Sequence, residues 1–322
     1  MTKHRPRGDL NRWHTLRLRT LVVFILLCLD TGILQAQPSG FIEIASGIYL
    51  RPGIQQNFSS HNRGHIANIG FIVGQQAVAV IDTGSSYQEG LALRRAIREI
   101  TALPIEYVIL THMHPDHTLG AAAFDQDTPV YIGHAQLKDA LIRRQTYYLD
   151  RLEEVLGSTA EGTRLALPSA GLEIDQEVKL ELCDRILELQ AYPTAHTNND
   201  LSVYDRNSGT LWLSDLLFVE RTPVVDGSLL GWLKVIDYLD QREAIPVVPG
   251  HGPVVNEWKE ALADQRRYLE ALLSGIRKIV RKNGTIEQAI ERVGQEEKDN
   301  WLLFDEYHGR NVTASFVELE WE

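Results

Sequence analysis

The sequence predicts an α/β protein in which two β-sheets pack face to face and helices cover their outer sides. Three observations predict it. From Phe41 onward, short runs of branched apolar residues alternate with segments of helical periodicity. The strand-like runs fall into two halves, each with its own helices, and two packed sheets between helices is a layering that buries both. Finally, His and Asp residues gather behind the apolar runs, where strand-end loops carry chemistry.

In chain order, "GIYLR", "IANIGFIVG" and "AVAVIDTG" read as strands. "SYQEGLALRRAIREI" places Leu91, Leu93, Ala96 and Ile97 at helical spacing. "IEYVILTH" reads as a buried strand, and a helix over "AQLKDALIRRQTYYLDRLEEVL" follows "PVYIG". "KLELC", "ILELQAYPT", "LSVYDR" and "TLWLSD" form a strand-rich stretch broken by Asn207, Ser208 and Gly209. "LLGWLKVIDYLDQ" returns to helix and "IPVVPG" to strand. A long amphipathic helix is expected over Asn256 to Lys282, ended by "NGT", with Thr285 and Gln288 as a capping box for the next helix.

The 322 residues suffice for one large domain or two small ones, and 44% apolar content is ordinary for a buried core. Residues 1–36 read as a secretory signal peptide: a basic stretch from Lys3 to Arg19, the apolar run Leu21 to Leu29, then "LQAQPSG" with Ala36 as the last residue before cleavage. An uncleaved anchor is the alternative, although the run is short for a bilayer. The protein is thus expected in the periplasm or secreted, with no stable membrane insertion of the mature chain. Net charge is −11, and cleavage would remove six basic and two acidic residues. That acidic balance argues against nucleic acid or an anionic membrane as partner. Only Cys183 would remain, which excludes an intrachain disulfide and a thiolate cluster.

"THMHPDH" is the strongest motif. His112 and His114 follow a strand at i and i+2, so both imidazoles can share one face. Asp116 and His117 come after Pro115, which can open a helical turn, and leave in another direction. One loop can therefore serve two neighbouring ions. Further polar residues are read at strand ends: Asp82 after "AVAVI", His196 in "YPTAHTNND", Asp215 at the end of "TLWLSD", and His251 behind "IPVVPG". Each alone is ordinary turn chemistry; the set together is not.

These residues, as "IDTG", "THMHPDH", "AHTNND", "LSDLLF" and "PGHGPV", resemble the metallo-β-lactamase superfamily in order and spacing. The resemblance implies an αββα sandwich with a C-terminal helical extension, divided as 37–255 and 256–322. It implies that His112, His114 and His196 hold one metal, that Asp116, His117 and His251 hold a second, and that Asp215 bridges them. Asp82 would support the site from behind. Imidazole and carboxylate ligands without thiolate suit two zinc ions, with iron or manganese also compatible. Such a pair would activate a water for hydrolysis, Asp116 orienting it and moving its proton.

Within the superfamily, "NRGHIANIGFIVGQQAVAVIDTG", "HTNNDLSVYD", "LWLSDLLFVERTP" and "NVTASFVELE" are similar to the exported quinoprotein relay system zinc metallohydrolases. That resemblance implies a functional link to a periplasmic quinoprotein (PQQ-dependent) dehydrogenase but carries over no substrate; a small ester, thioester or lactone is expected because Asp215 resembles the thioesterase and lactonase members of the superfamily. Asn199 stands where relatives often have glycine, which puts the local turn in question. The other readings are a metallo-β-lactamase, a mononuclear-iron persulfide dioxygenase, and a non-catalytic metal-binding accessory protein. Other residues have plain structural readings. His61 and His65 belong to a solvent-exposed loop, with a substrate contact as the alternative, His134 caps or packs at a helix start, and Tyr147 and Tyr148 are core or surface aromatics. Arg221 is a surface arginine, with an anion contact as the alternative. Trp258, Tyr268 and Leu269 are expected to pack C-terminal helices over the sandwich and close the site.

Overall fold

The computed structural model describes residues 40–174 and 176–322. The signal peptide read in residues 1–36 lies outside the described residues. The chain opens with β1 (Ile42–Ala45), β2 (Ile48–Arg51), β3 (Ile69–Val73) and β4 (Val78–Ile81). There follow α1 (Tyr87–Ile100), β5 (Ile105–Ile109), α2 (Pro115–Thr118), β6 (Val130–His134), α3 (Leu137–Leu156) and β7 (Ala170–Leu172). The second half holds β8 (Glu177–Glu181), β9 (Ile186–Ala191), β10 (Leu201–Asp205), β11 (Leu211–Phe218), α4 (Leu229–Leu239) and β12 (Val247–His251). Last come α5 (Trp258–Val280), α6 (Ile286–Arg292) and α7 (Phe304–Leu319).

Among the described residues the first sheet runs β1-β2-β3-β4-β5-β6-β7 and the second β12-β11-β10-β9-β8. The first sheet is antiparallel as far as β4 and parallel beyond it. In the second, β8 to β11 are antiparallel and β12 joins β11 in parallel. Parallel neighbours need crossovers, which α1, α3 and α4 supply.

Strand periodicity places the core. Every residue of β4 is buried. Val78 and Val80 join Leu93, Ile97 and Leu141 under α1 and α3, while Ala79 and Ile81 join Leu187, Leu189, Val203 and Trp212 between the sheets. The outer side of the second sheet is covered by α4, α5 and α7, whose Trp232, Trp258, Tyr268, Leu269 and Phe316 cluster with Leu213 and Leu217. The result is the αββα sandwich. Three details differ from the sequence reading. β11 does not stop at Asp215 but continues to Phe218, with Ser214 at φ 47° and the register against β12 slipping beside it. Such a bulge re-aims one side chain out of a strand. His134 closes β6 and does not start a helix. Helix α7 falls within the helical extension expected over 256–322, but its bounds and its buried stripe of Phe304, His308, Val312, Phe316 and Leu319 were not read.

Candidate metal centre

The seven residues singled out from the sequence converge at one edge of the sandwich. His112 and His114 leave the loop after β5. His114 caps α2, whose first residue Pro115 turns Asp116 and His117 the other way. His196 comes from the loop after β9, Asp215 from the kink in β11, and His251 ends β12. They form two groups: His112, His114, His196 and Asp215, then Asp116, His117 and His251.

In the first group, His114 Nδ1 lies 3.0 Å from both His112 Nε2 and His196 Nε2. Asp215 Oδ2 lies 3.6 Å from His112 Nε2 and 3.2 Å from His196 Nε2. In the second, Asp116 Oδ2 lies 3.7 Å from His117 Nε2 and 3.4 Å from His251 Nε2. Asp215 turns its other oxygen, Oδ1, to His117 Nε2 at 3.2 Å and His251 Nε2 at 3.5 Å. Four ligands about 2.0–2.1 Å from a tetrahedral cation stand roughly 3.3–3.4 Å apart. The donor spacing of both groups therefore fits a divalent cation. A second observation agrees: His117 Nε2 and Asp215 Oδ1 are buried and have no hydrogen bond, although buried polar atoms are normally paired.

The nitrogen of each ring facing away from its group is engaged. Asp82 accepts from His117 Nδ1 at 2.8 Å, Val224 O from His196 Nδ1 at 2.6 Å, and Ile66 O from His251 Nδ1 at 2.8 Å. His112 Nδ1 meets the Thr111 hydroxyl at 3.1 Å, and Asp226 accepts from His114 Nε2 at 3.0 Å. These partners fix ring orientation and, for the carbonyl and carboxylate contacts, the tautomer. Asp82 (φ 54°) is itself held by the Thr111 amide and hydroxyl, each at 2.9 Å. Gly250 in β12 passes so close behind Asp215 that a Cβ there would lie 1.8 Å from Oδ1.

The charge states suit cation binding. Burial, then the charge of His117, holds His112 well below the usual imidazole range, and burial also lowers His114. Burial opposes ionisation of Asp215, but His251, His117 and His112 outweigh it and hold the carboxyl well below its usual range. Burial pushes His117 down, and the carboxylates of Asp215, Asp82 and Asp116 more than reverse this. A proton on His117 thus occupies the place a cation would take.

The metallo-β-lactamase superfamily profile matches residues 62–274.

The chain belongs to the metallo-β-lactamase superfamily.

It is 27% identical over 227 residues to the acyl-coenzyme A thioesterase MBLAC2 of Bos taurus, spanning 62% of this chain and 76% of that protein. The Homo sapiens protein matches with the same identity and coverage. Among solved structures, a metallo-β-lactamase from Pontibacter korlensis aligns with a TM-score of 0.58 at 18% identity, covering 71% of this chain and 98% of that one. The mono-zinc form of FIM-1 from Pseudomonas aeruginosa aligns with a TM-score of 0.56 at 19% identity, covering 72% and 97%. At these identities the structures speak for the fold alone. The superfamily and its donor set make the protein a metal-dependent hydrolase.

A cavity of about 540 Å³ opens onto His114, Asp116, Asp215 and His251. Its walls correct several sequence readings. Tyr147 and Tyr148 both line it; Tyr147 is exposed, Tyr148 is buried, and the Tyr148 hydroxyl has no partner. Arg221 is not on the surface: it is 2% exposed and lines the same cavity. His61 is exposed and His65 half-buried, accepting from Arg51 Nε at 2.8 Å; neither lines the cavity, which takes Asn57 and Phe58 from that loop. Asn199 does not upset its turn, because Asp200 accepts from the Thr197 amide at 2.9 Å and Asn199 keeps a negative φ. Asp226, Arg144 and the α7 residues Tyr307 and Arg310 were missed. The signals existed: Arg144, Tyr148 and Arg151 sit at i, i+4 and i+7 on α3, one helical face.

Proposed function

We propose that this protein is a binuclear zinc hydrolase that cleaves a small thioester, ester or lactone. The observation that carries the reading is Asp215, whose two oxygens face two separate groups of donors. His112, His114 and His196 would hold one ion, and Asp116, His117 and His251 the other. Two such ions would make a water acidic near neutral pH and polarise the scissile carbonyl. The chain's own residues do the rest. Asp116 lines the cavity, and His117 and His251 outweigh burial to keep its carboxyl ionised, so it can take the proton of the attacking water and pass it to the leaving group. Tyr148 and Phe58 wall the cavity and limit bulk water. The thioesterase relative supports the thioester among the three bonds, and the second donor group weighs against a mononuclear-iron dioxygenase.

Metal analysis with a panel of thioesters, esters, lactones and the β-lactam nitrocefin tests this. His114→Ala should lose metal and hydrolysis together; unchanged zinc stoichiometry in that variant defeats the ligand assignment. Rapid nitrocefin turnover would favour a β-lactamase, and zinc binding without turnover across the panel an accessory protein.

We also propose export through residues 1–36 and a functional link to a periplasmic quinoprotein dehydrogenase, on sequence resemblance. A mature N-terminus at Gln37 in the periplasmic fraction supports the first. Unchanged PQQ-dependent growth of a strain lacking the gene refutes the second.

A further inference from the structure

Arg221 is a buried cation that no carboxylate among the described residues answers. It is 2% exposed and lines the cavity beside the donor groups. Its nearest polar neighbours are the Gln56 carbonyl at 3.3 Å, the Tyr307 hydroxyl at 2.8 Å and the His251 ring at 3.3 Å. None is a carboxylate. His251 Nδ1 already donates to Ile66 O, so it cannot accept from Arg221 as well. Among the described residues Arg221 Nε has no hydrogen-bond partner. The guanidinium carbon also lies over the Tyr307 ring, 5.2 Å from its centre. Burying a cation without a counter-charge is costly, and two bound divalent cations nearby would raise that cost. Groups this firmly held yet incompletely bonded are poised for a partner from outside.

The cavity mouth repeats the pattern. Arg310, one turn beyond Tyr307 on α7, lines it and has neither a hydrogen bond nor an ion pair among the described residues. Arg144 and Arg151 line the opposite wall, and Arg151 is partly answered by Glu154 at 2.6 Å. Against these stand Glu306, Asp226, which is already engaged by His114 and by Arg144 at 3.4 Å, and the proposed metal ligands Asp116 and Asp215, whose charge bound cations would offset. Four arginines line one cavity of a protein whose net charge is −11.

We infer that Arg221 binds a carboxylate of the substrate, one imidazole width from the donor atoms, and that Arg310 guides it in. This rests on the hydrolase reading and narrows it: the substrate is a thioester, ester or lactone bearing a second, acidic group a few bonds from the scissile carbonyl. Arginine presents a planar fork that matches a carboxylate, and Arg221 lines the cavity.

The test compares glutarate with valerate, which differ by one terminal carboxylate, as ligands of the zinc-loaded protein in calorimetry. Glutarate should bind about 10- to 100-fold more tightly, the scale of one charged hydrogen-bonded contact. Arg221→Met should bring that ratio close to one, Arg221→Lys should retain part of it, and Arg310→Gln should lower it severalfold. Equal binding of the two acids by the unaltered protein, or a ratio that survives Arg221→Met, overturns the inference. Should Arg221→Met fail to melt cooperatively, Arg310→Gln at the exposed mouth decides, and an unchanged ratio there counts against the inference. Glutaryl and valeryl thioesters of N-acetylcysteamine complete the comparison. Turnover of both at equal kcat/KM refutes the subsite and leaves the hydrolase reading standing. Selective glutarate binding with no turnover of either thioester, or of any ester or lactone in the panel, refutes the hydrolase reading and leaves the subsite.

Discussion

Replacing Gly250 by alanine tests the idea that Asp215 joins two metals without removing any ligand. The new Cβ would stand 1.8 Å from Asp215 Oδ1, 2.7 Å from its amide nitrogen and 2.8 Å from the Ser214 carbonyl carbon. Ordinary contact begins near 3.4 Å. The carboxylate would have to retreat by about 1.5 Å, and a misplacement of about 1 Å in a catalytic group can cost a factor of ~100. Two of the three clashes are with backbone, so the β11–β12 pair must also part, at about 1–3 kcal/mol of stability. The assay is metal per chain by atomic emission, with the melting temperature and kcat/KM on the best panel substrate. Bound zinc should fall from two ions per chain to one or none, and kcat/KM by about 100-fold. Gly309→Ala is the control: it lies within α7 and its Cβ would meet nothing closer than 3.8 Å, so it should stabilise by up to about 1 kcal/mol. A Gly250→Ala protein that keeps two zinc ions and full activity would refute the shared-carboxylate reasoning.

Asp226→Ala frees His114 Nε2 and should weaken metal binding by about 10- to 100-fold in a chelator titration, with the other ligands untouched. Burial, then the charge of Arg51, lowers His65 to about 4. Between its unfolded value near 6.5 and that figure the unfolded chain holds the extra proton, so stability should fall as pH drops through this window, by up to about 3 kcal/mol. In denaturant melts His65→Gln should flatten that slope; an unaltered pH profile contradicts the assignment. Asn311 accepts from the Val225 amide at 2.9 Å and donates to Pro223 O at 2.6 Å and the Tyr268 hydroxyl at 2.9 Å. Asn311→Ala should cost about 2–4 kcal/mol, and it should also loosen metal binding although Asn311 is no ligand; stability lost at unchanged metal affinity would separate the two.

The donors were legible because each sits in a short motif whose local geometry follows from chain direction: alternate residues in His112-Met113-His114, a turn opened by Pro115, a residue at the end of β12. The walls were not legible, and the reason is distance along the chain. Arg221 reads as a surface residue until Gln56, 165 positions away, and Tyr307, 86 away, close over it. Asp226 precedes a glycine and reads as turn chemistry until His114, 112 positions away, donates to it. Asp215 was placed at a strand end because nothing local announces that Ser214 adopts φ 47° and lets β11 run on to Phe218. The helical extension over 256–322 was expected, but the buried stripe of α7 within it was not placed, because polar residues at Asn311 and Ser315 dilute it.

Those polar interruptions are where α7 acts on the site. The segment from Arg221 to Ser228 carries the cavity arginine, the carbonyl of Val224 that holds His196, and the carboxylate of Asp226 that holds His114. It has no regular structure of its own between β11 and α4, so something else must fix it. The Thr222 amide donates to Leu302 O at 3.0 Å, Asn311 takes the Val225 amide, and Glu318 accepts from the Ser228 hydroxyl at 2.6 Å and the Leu229 amide at 2.7 Å. The three ties reach Leu302 just before α7 and two residues within it, and they grip the segment at its start, middle and end. Removing the C-terminal helices would therefore leave every proposed metal ligand in the chain but withdraw the support behind two of them, and it would open the cavity wall at Tyr307 and Arg310. The sheets bring the metal donors together; α7 holds the segment that keeps two of the rings in register, and its Tyr307 and Arg310 line the cavity where the proposed substrate would bind.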